Sequence, residues 1–165
     1  MSSPMTAAAP EPRADGIRIR RATGADSRRL TAMARRSRAY EGHYAAMVAG
    51  LTVGPVYIET HRVHVATDAD GTPLGFYALL LDAAELDLMF VADRAQGLGI
   101  GRLLIDHMTA EAREHGLDTV RVVSHPPAEG FYRAVGAART GTVPADPPVV
   151  GWPRPELHFR LTPEG

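Results

Sequence analysis

The 165-residue chain predicts a single mixed α/β domain built on one strongly bent sheet. Three observations carry that expectation. Segments with the period-2 pattern of strands alternate with segments of helical period along most of the chain. Asp70-Gly71, a strong hairpin dipeptide, separates two of the strand-like segments. Alternate glycines at Gly97, Gly99 and Gly101 follow the mostly apolar run Leu86 to Val91 and open an amphipathic helix.

Residues 1–15 (MSSPMTAAAPEPRAD) are small, polar and proline-bearing, which predicts a disordered tail ahead of a domain over residues 16–165. Ile17 to Arg21 alternates apolar and basic side chains, as a half-buried strand does. Thr23 and Asp26 form a capping-box-like start to a helix ending near Arg38, with Leu30, Met33 and Ala34 as its apolar stripe. A short helix is expected over Tyr44 to Leu51. Arg62 to Thr67 and Leu74 to Leu81 make the hairpin, and a fourth strand runs from Ala84 to Val91.

Ile100 to His115 is the central helix, with Ile100, Leu103, Leu104, His107 and Met108 on one face and Gly116 as its stop. Thr119 to Ser124 reads as a buried strand. Pro126 suits the first turn of the next helix, which Gly136 ends. Ala138 to Val143 and Glu156 to Leu161 close the sheet, separated by the proline-rich ADPPVVGWPRP. The expected inventory is about six to seven strands and about four helices, with no internal repeat.

Composition narrows the function classes. Hydrophobic residues make up 45% and charged residues 22%, as in ordinary soluble domains. A formal net charge of −1 removes the drive for nonspecific nucleic-acid binding. No apolar run approaches the roughly 18 residues that span a bilayer, and the N-terminus lacks the pattern of a signal peptide. The absence of cysteine excludes disulfides, zinc-thiolate sites and a cysteine acyl-enzyme, so a cytoplasmic address is expected by elimination. All 18 basic residues are arginine, consistent with a GC-rich bacterial source, and no lysine is available for catalysis or self-acetylation. His61 and His64 lack a third partner at ligand spacing, so no metal is expected.

Glycine lets a backbone bend and approach a ligand closely, and a helix N-terminus offers unpaired amides and partial positive charge. The stretch RAQGLGIGRLL therefore suits a phosphate or pyrophosphate. It is not a P-loop, because Arg102 and Leu103 stand where Lys and Ser or Thr are needed. It is not a dinucleotide fingerprint either: the last glycine would fall on Arg102 or Leu104.

The pattern that does fit is Q-x-x-G-x-G, filled by Gln96, Gly99 and Gly101. Together with AELDLMFVADRAQ before it and SHPPAEGFYRAVGA after it, this stretch resembles the GNAT superfamily of N-acyltransferases over roughly residues 17–161. The resemblance implies a GNAT-like bent sheet with an acyl-CoA wedge between the fourth and fifth strands. It implies acetyl-CoA as cofactor, with main-chain groups of Met89, Phe90 and Val91 on the pantetheine. The pyrophosphate falls to Gln96, Gly97, Leu98, Gly99, Ile100, Gly101 and Arg102. His125 stands where many relatives have a pantetheine-binding asparagine, a departure from the family pattern.

The chemistry asks for a base to take the amine proton and an acid for the departing thiolate. The resemblance points to Glu85 as base, eleven residues before Gln96, and to Tyr132 in Gly130-Phe131-Tyr132 as acid. Asp87 shares the strand face of Glu85 unless a bulge breaks the phase, so which carboxylate is the base stays open. Tyr40, Glu41, His43 and Tyr44 cluster where the family covers its acceptor, with aromatic faces suited to an ammonium group. The expected activity is acetyl transfer from acetyl-CoA to a primary amine of a small molecule, by direct attack in a ternary complex. The alternatives are a protein or peptide acceptor and, in another class, a non-catalytic acyl-CoA-sensing or partner-binding domain. A homodimer through the C-terminal strand pair is also compatible with the sequence.

Overall fold

The protein is described by a computed structural model covering residues 16–37, 46–148 and 150–161. Its seven strands are β1 (Arg18–Arg21), β2 (Arg62–Thr67), β3 (Pro73–Leu80), β4 (Glu85–Val91), β5 (Thr119–Val123), β6 (Ala138–Val143) and β7 (Arg154–Arg160). They form one sheet in the order β1-β2-β3-β4-β5-β7-β6. The α segments are α1 (Ser27–Arg35), the single turn α2 (Ala46–Ala49), α3 (Pro55–Thr60), α4 (Ile100–Glu114) and α5 (Glu129–Ala134). The expected tail and the segment carrying Tyr40, His43 and Tyr44 lie outside the described residues.

Strand alternation sorts the core into two layers. Leu74, Tyr77, Leu79, Val120, Val122, Leu157 and Phe159 face α4 and α5. Val63, Val65, Phe76, Ala78 and Phe90 face the layer of α1 and α3. Gly75 allows α4 to sit hard on β3: a Cβ there would lie 2.8 Å from Phe90 O and 3.1 Å from Ile100 Cγ2. The turn after β2 closes as Asp70-Gly71 demands, with Gly71 at φ 85°.

Helix α1 is preceded by a 3₁₀ turn over Gly24–Asp26. Thr23 N donates to Asp26 Oδ2 at 2.8 Å, and Arg20 grips both oxygens of that carboxylate at 2.9 and 2.8 Å. The α1 helix stops at Arg35 rather than near Arg38.

Helix α3 was not foreseen from sequence. Gly54 and Pro55 supply its N-cap and first turn, but six residues including Val56, Ile58 and Thr60 carry little helical propensity. Burial of Ile58 against α1 and the sheet holds it in place.

Two features of β4 shape everything that follows. Ala78 pairs with Leu88 and Leu79 with Leu86, so Asp87 is the extra residue of a β-bulge. The phase flips there: Leu86 packs in the α4 layer, whereas Leu88 and Phe90 pack in the other. On its far side β4 meets β5 in parallel at one register only, Glu85 opposite Arg121. Beyond it the strands part.

Candidate active site

The glycine run forms the entrance. Gly97 (φ 86°) and Gly99 (φ 78°) adopt left-handed backbone that other residues enter at a cost. The first intrahelical bond of α4 is donated by Leu103 to Gly99 O at 3.1 Å, which places the amides of Ile100, Gly101 and Arg102 ahead of it. Gly101 serves space rather than conformation. A Cβ on it would come within 3.0 Å of two ring atoms of Phe131. Gln96 Nε2 reaches back to Val91 O at 3.4 Å, and Arg102 spans to Ala134 O at 3.4 Å.

From this cradle a groove of about 570 Å³ runs along Met89, Phe90 and Val91 toward His125, Phe131 and Tyr132. It is continued by a cavity of about 50 Å³ inside the opening between β4 and β5, lined by Leu86 to Phe90, Val122 to His125 and Tyr132. Tyr132 and His125 belong to both spaces and are buried. Tyr132 is held edge-on between Phe131 and Phe159, with ring centroids 5.3 and 6.4 Å away. Ser124 Oγ donates to His125 O at 2.6 Å and stiffens the bend that leads into Pro126.

An amide-lined anion cradle leading to a half-open strand edge fits a ligand with a pyrophosphate and an extended amide-bearing arm. Acetyl-CoA has that constitution. The residues that would hold it are those the glycine motif singled out, joined by Ser37 and Phe131, which the motif does not report.

Three carboxylates lie near the β4–β5 junction, and of these Asp87 lines the opening. The exposed Asp87 lines the inner cavity, and its Oδ2 accepts a hydrogen bond from Tyr57 Oη at 2.5 Å. Burial, then the hydrogen bond to Asp87, then the Asp87 and Glu85 charges, raise the Tyr57 phenol well above its ordinary value, so it remains a donor. Glu85 sits at the strand junction, 3.7 Å from Arg121 Nη1. Burial lifts its carboxyl above the usual range, Arg121 pulls it back, and Asp87 and Glu156 push it up again. Arg121 Nε donates in turn to Glu156 of β7, whose carboxyl that bond holds down.

The residues nominated from sequence thus divide. Met89 to Val91, Gln96, Gly97, Gly99 to Arg102, His125, Tyr132 and Asp87 line the groove and the cavity that continues it, whereas the Leu98 side chain is exposed and lines neither. Glu85 stands beside it, tied to Arg121. Tyr57, Arg121 and Glu156 escaped the sequence reading. Tyr57 lies on the unforeseen helix α3, and the other two belong to strands whose neighbours only the sheet order reveals.

Comparison with known proteins agrees with this geometry. A family model described as an acetyltransferase (GNAT) domain matches residues 40–144. The peptidyl-lysine N-acetyltransferase YjaB of Salmonella typhimurium is 30% identical over 153 residues, covering 87% of this chain and 97% of that protein. Its Escherichia coli namesake is 34% identical over 95 residues, a match spanning 58% of this chain and 60% of the relative's length. Among solved structures, yncA of Salmonella typhimurium, determined with acetyl-CoA, shares the fold at a TM-score of 0.68 and 17% identity, covering 90% of this chain and 96% of that one. No helix among the described residues is long and apolar enough to cross a membrane. The chain belongs to the GNAT family of acetyl-CoA-dependent N-acetyltransferases.

Proposed function

We propose that this protein acetylates the side-chain amine of lysine in a protein or peptide, by direct transfer while both substrates are bound, in the cytoplasm. One observation carries the reading: Asp87 and Tyr132 line the same cavity between β4 and β5, a proton acceptor and a proton donor across the opening. The lysine acceptor is supported by the two relatives named peptidyl-lysine N-acetyltransferases, which favour the protein alternative over a small-molecule amine.

Bound acetyl-CoA supplies an activated acyl group at the opening. A lysine amine is protonated near neutrality and attacks only once neutral, so a base must take its proton. Asp87 is suited to that task because it faces the cavity, and Tyr57 fixes one of its oxygens while leaving the other for the amine or a bridging water. Asp87, Glu85 and Glu156 together draw a cation toward the opening, and Arg121 offsets part of that charge. The Tyr132 hydroxyl protonates the departing sulfur. Amides of the 99–102 turn and the edge of β4 hold the donor extended, which supplies orientation.

The test is incubation of the full chain with acetyl-CoA and lysine-bearing peptides beside a panel of small amines, reading free thiol and product mass. Acetylation at lysine Nε of peptides supports the proposal. Turnover of small amines alone would replace it with the small-molecule reading, and binding of acetyl-CoA without turnover on any amine would replace it with a sensing role.

A further inference from the structure

A second cleft of about 570 Å³ lies on the α1 side of the same sheet, lined by Arg29, Met33, Arg36, Pro73, Asp93 and Arg94 among others. Arg29, Met33 and Arg36 stand at i, i+4 and i+7 on one face of α1 and its C-terminal end. Arg94 faces them from the turn between β4 and α4, anchored by a 3.0 Å bond to Pro73 O. Among the described residues none of the three guanidinium groups is matched by a carboxylate of its own. Arg36 Nε donates to Ala32 O of its own helix at 3.3 Å, and Asp26, whose carboxyl the charge of Arg29 helps to hold down, is already gripped by Arg20. Among the described residues that line the cleft, three cations face one carboxylate, Asp93, in a chain whose net charge is −1.

We propose that this cleft is a docking site for an acidic segment of the protein that carries the target lysine. The proposal rests on the protein-acceptor reading and adds which proteins are preferred. Guanidinium forks suit carboxylates, and here they are spread around an apolar floor of Met33 and Pro73. That layout fits a stretch of peptide bearing several separated carboxylates better than one compact anion. The cleft is coupled to the transfer site by construction. Ala92 to Arg94 wall the cleft while Ala95 to Gly97 wall the cofactor groove, and Ser37, next to Arg36, lines that groove too.

The two recognition surfaces have opposite signs. Asp87, Glu85 and Glu156 attract the lysine ammonium, and the arginine cleft attracts acids further along the same segment. Five to seven residues of largely extended chain separate Asp87 from the cleft wall at Ala92 to Arg94. A lysine followed or preceded at about that spacing by aspartate or glutamate satisfies both at once. A lysine in a basic context satisfies only the first.

The experiment compares two peptides with the same central lysine, one flanked at that spacing by Asp and Glu and one by Asn and Gln, on the wild type and on Arg29→Ala/Arg36→Ala. The expected result is a peptide KM roughly tenfold lower for the acidic partner on the wild type, lost in the variant and eroded by salt. KM for acetyl-CoA and for the neutral peptide stays unchanged. A lysine-free fluorescent acidic peptide reads the cleft without turnover: binding to the wild type but not the variant supports the site even where no peptide is acetylated. Charge reversal with Arg36→Glu should shift preference toward a basic flank. Equal KM for both peptides together with no binding of the probe overturns the proposal. A rise in acetyl-CoA KM in the double variant also overturns it, by assigning the cleft to the cofactor.

Discussion

The hydroxyl of Tyr57 on α3 donates to the bulged Asp87 of β4 at 2.5 Å, so a short helix and a strand irregularity meet at one carboxylate. Asp87→Asn should lower kcat by roughly 100-fold, the usual worth of a general base. Tyr57→Phe keeps the ring contact with His61 and removes only the donor, so a smaller fall, roughly five- to tenfold, is expected with acetyl-CoA KM unchanged. Steady-state kinetics on a verified acceptor decides. Full activity of Asp87→Asn would move the base elsewhere.

Glu85 offers the contrasting case. Its folded pKa is raised, chiefly by burial, so its stabilising contribution is present below the unfolded value and lost as pH rises through the folded one. Glu85→Gln is neutral throughout and should melt no lower than the wild type at pH 8, with the two curves converging in acid. In a pH–rate profile the acidic limb should persist in Glu85→Gln, and its loss there would return the base role to Glu85.

Tyr132→Phe isolates the acid. Its ring keeps the edge-on packing with Phe131 and Phe159, so folding should survive. Turnover should drop at least roughly tenfold while acetyl-CoA affinity stays within about twofold, because the lost bond forms only as sulfur leaves. Unchanged turnover would sink the assignment.

Two strands away from β4, His64 is buried beneath α4 with its Nδ1 unpaired, stacked on Tyr77 and 4.6 Å from the His107 ring. Tyr77 Oη in turn bonds His107 Nδ1 at 2.8 Å. Burial first, then His107, Arg21 and Arg62, hold the His64 pKa down to about 4 from 6.5. A depressed folded pKa gives stability that is present above the unfolded value and lost as pH falls through the folded one. The wild type should therefore lose melting temperature between about pH 6.5 and 4, and His64→Leu should lose less over the same window. Calorimetry at matched ionic strength separates this from carboxylate titration, since both proteins share the latter. Parallel pH dependences would show that His64 is not responsible.

The glycine run and the hairpin were legible because each is local: left-handed Gly71, Gly97 and Gly99 are demanded by the turns they make. The opening between the fourth and fifth strands came with the family resemblance rather than from periodicity, and the order of the C-terminal strands only from the fold. The choice between Glu85 and Asp87 was not legible, because it depends on a register slip between β3 and β4 that neither strand announces alone. Helix α3 was hidden by β-branched residues that packing overrides, and Tyr57 was hidden with it. The arginines of α1 carry no distinct signal in the sequence, because only the fold brings Arg94 opposite them.

The lone register between Glu85 and Arg121 makes the seven-stranded sheet two wings joined by a single stitch. A donor molecule bound along Met89 to Val91, as proposed above, would supply the missing rungs, so that loading the enzyme and finishing its sheet would be one event. The unloaded protein is then the softer body, and amide exchange across the 89–91 edge should slow when the wings are laced together. Departure of spent coenzyme must undo that lacing. On a good acceptor, the pace of the catalytic cycle would then be the pace at which a strand-like seam can be unpicked.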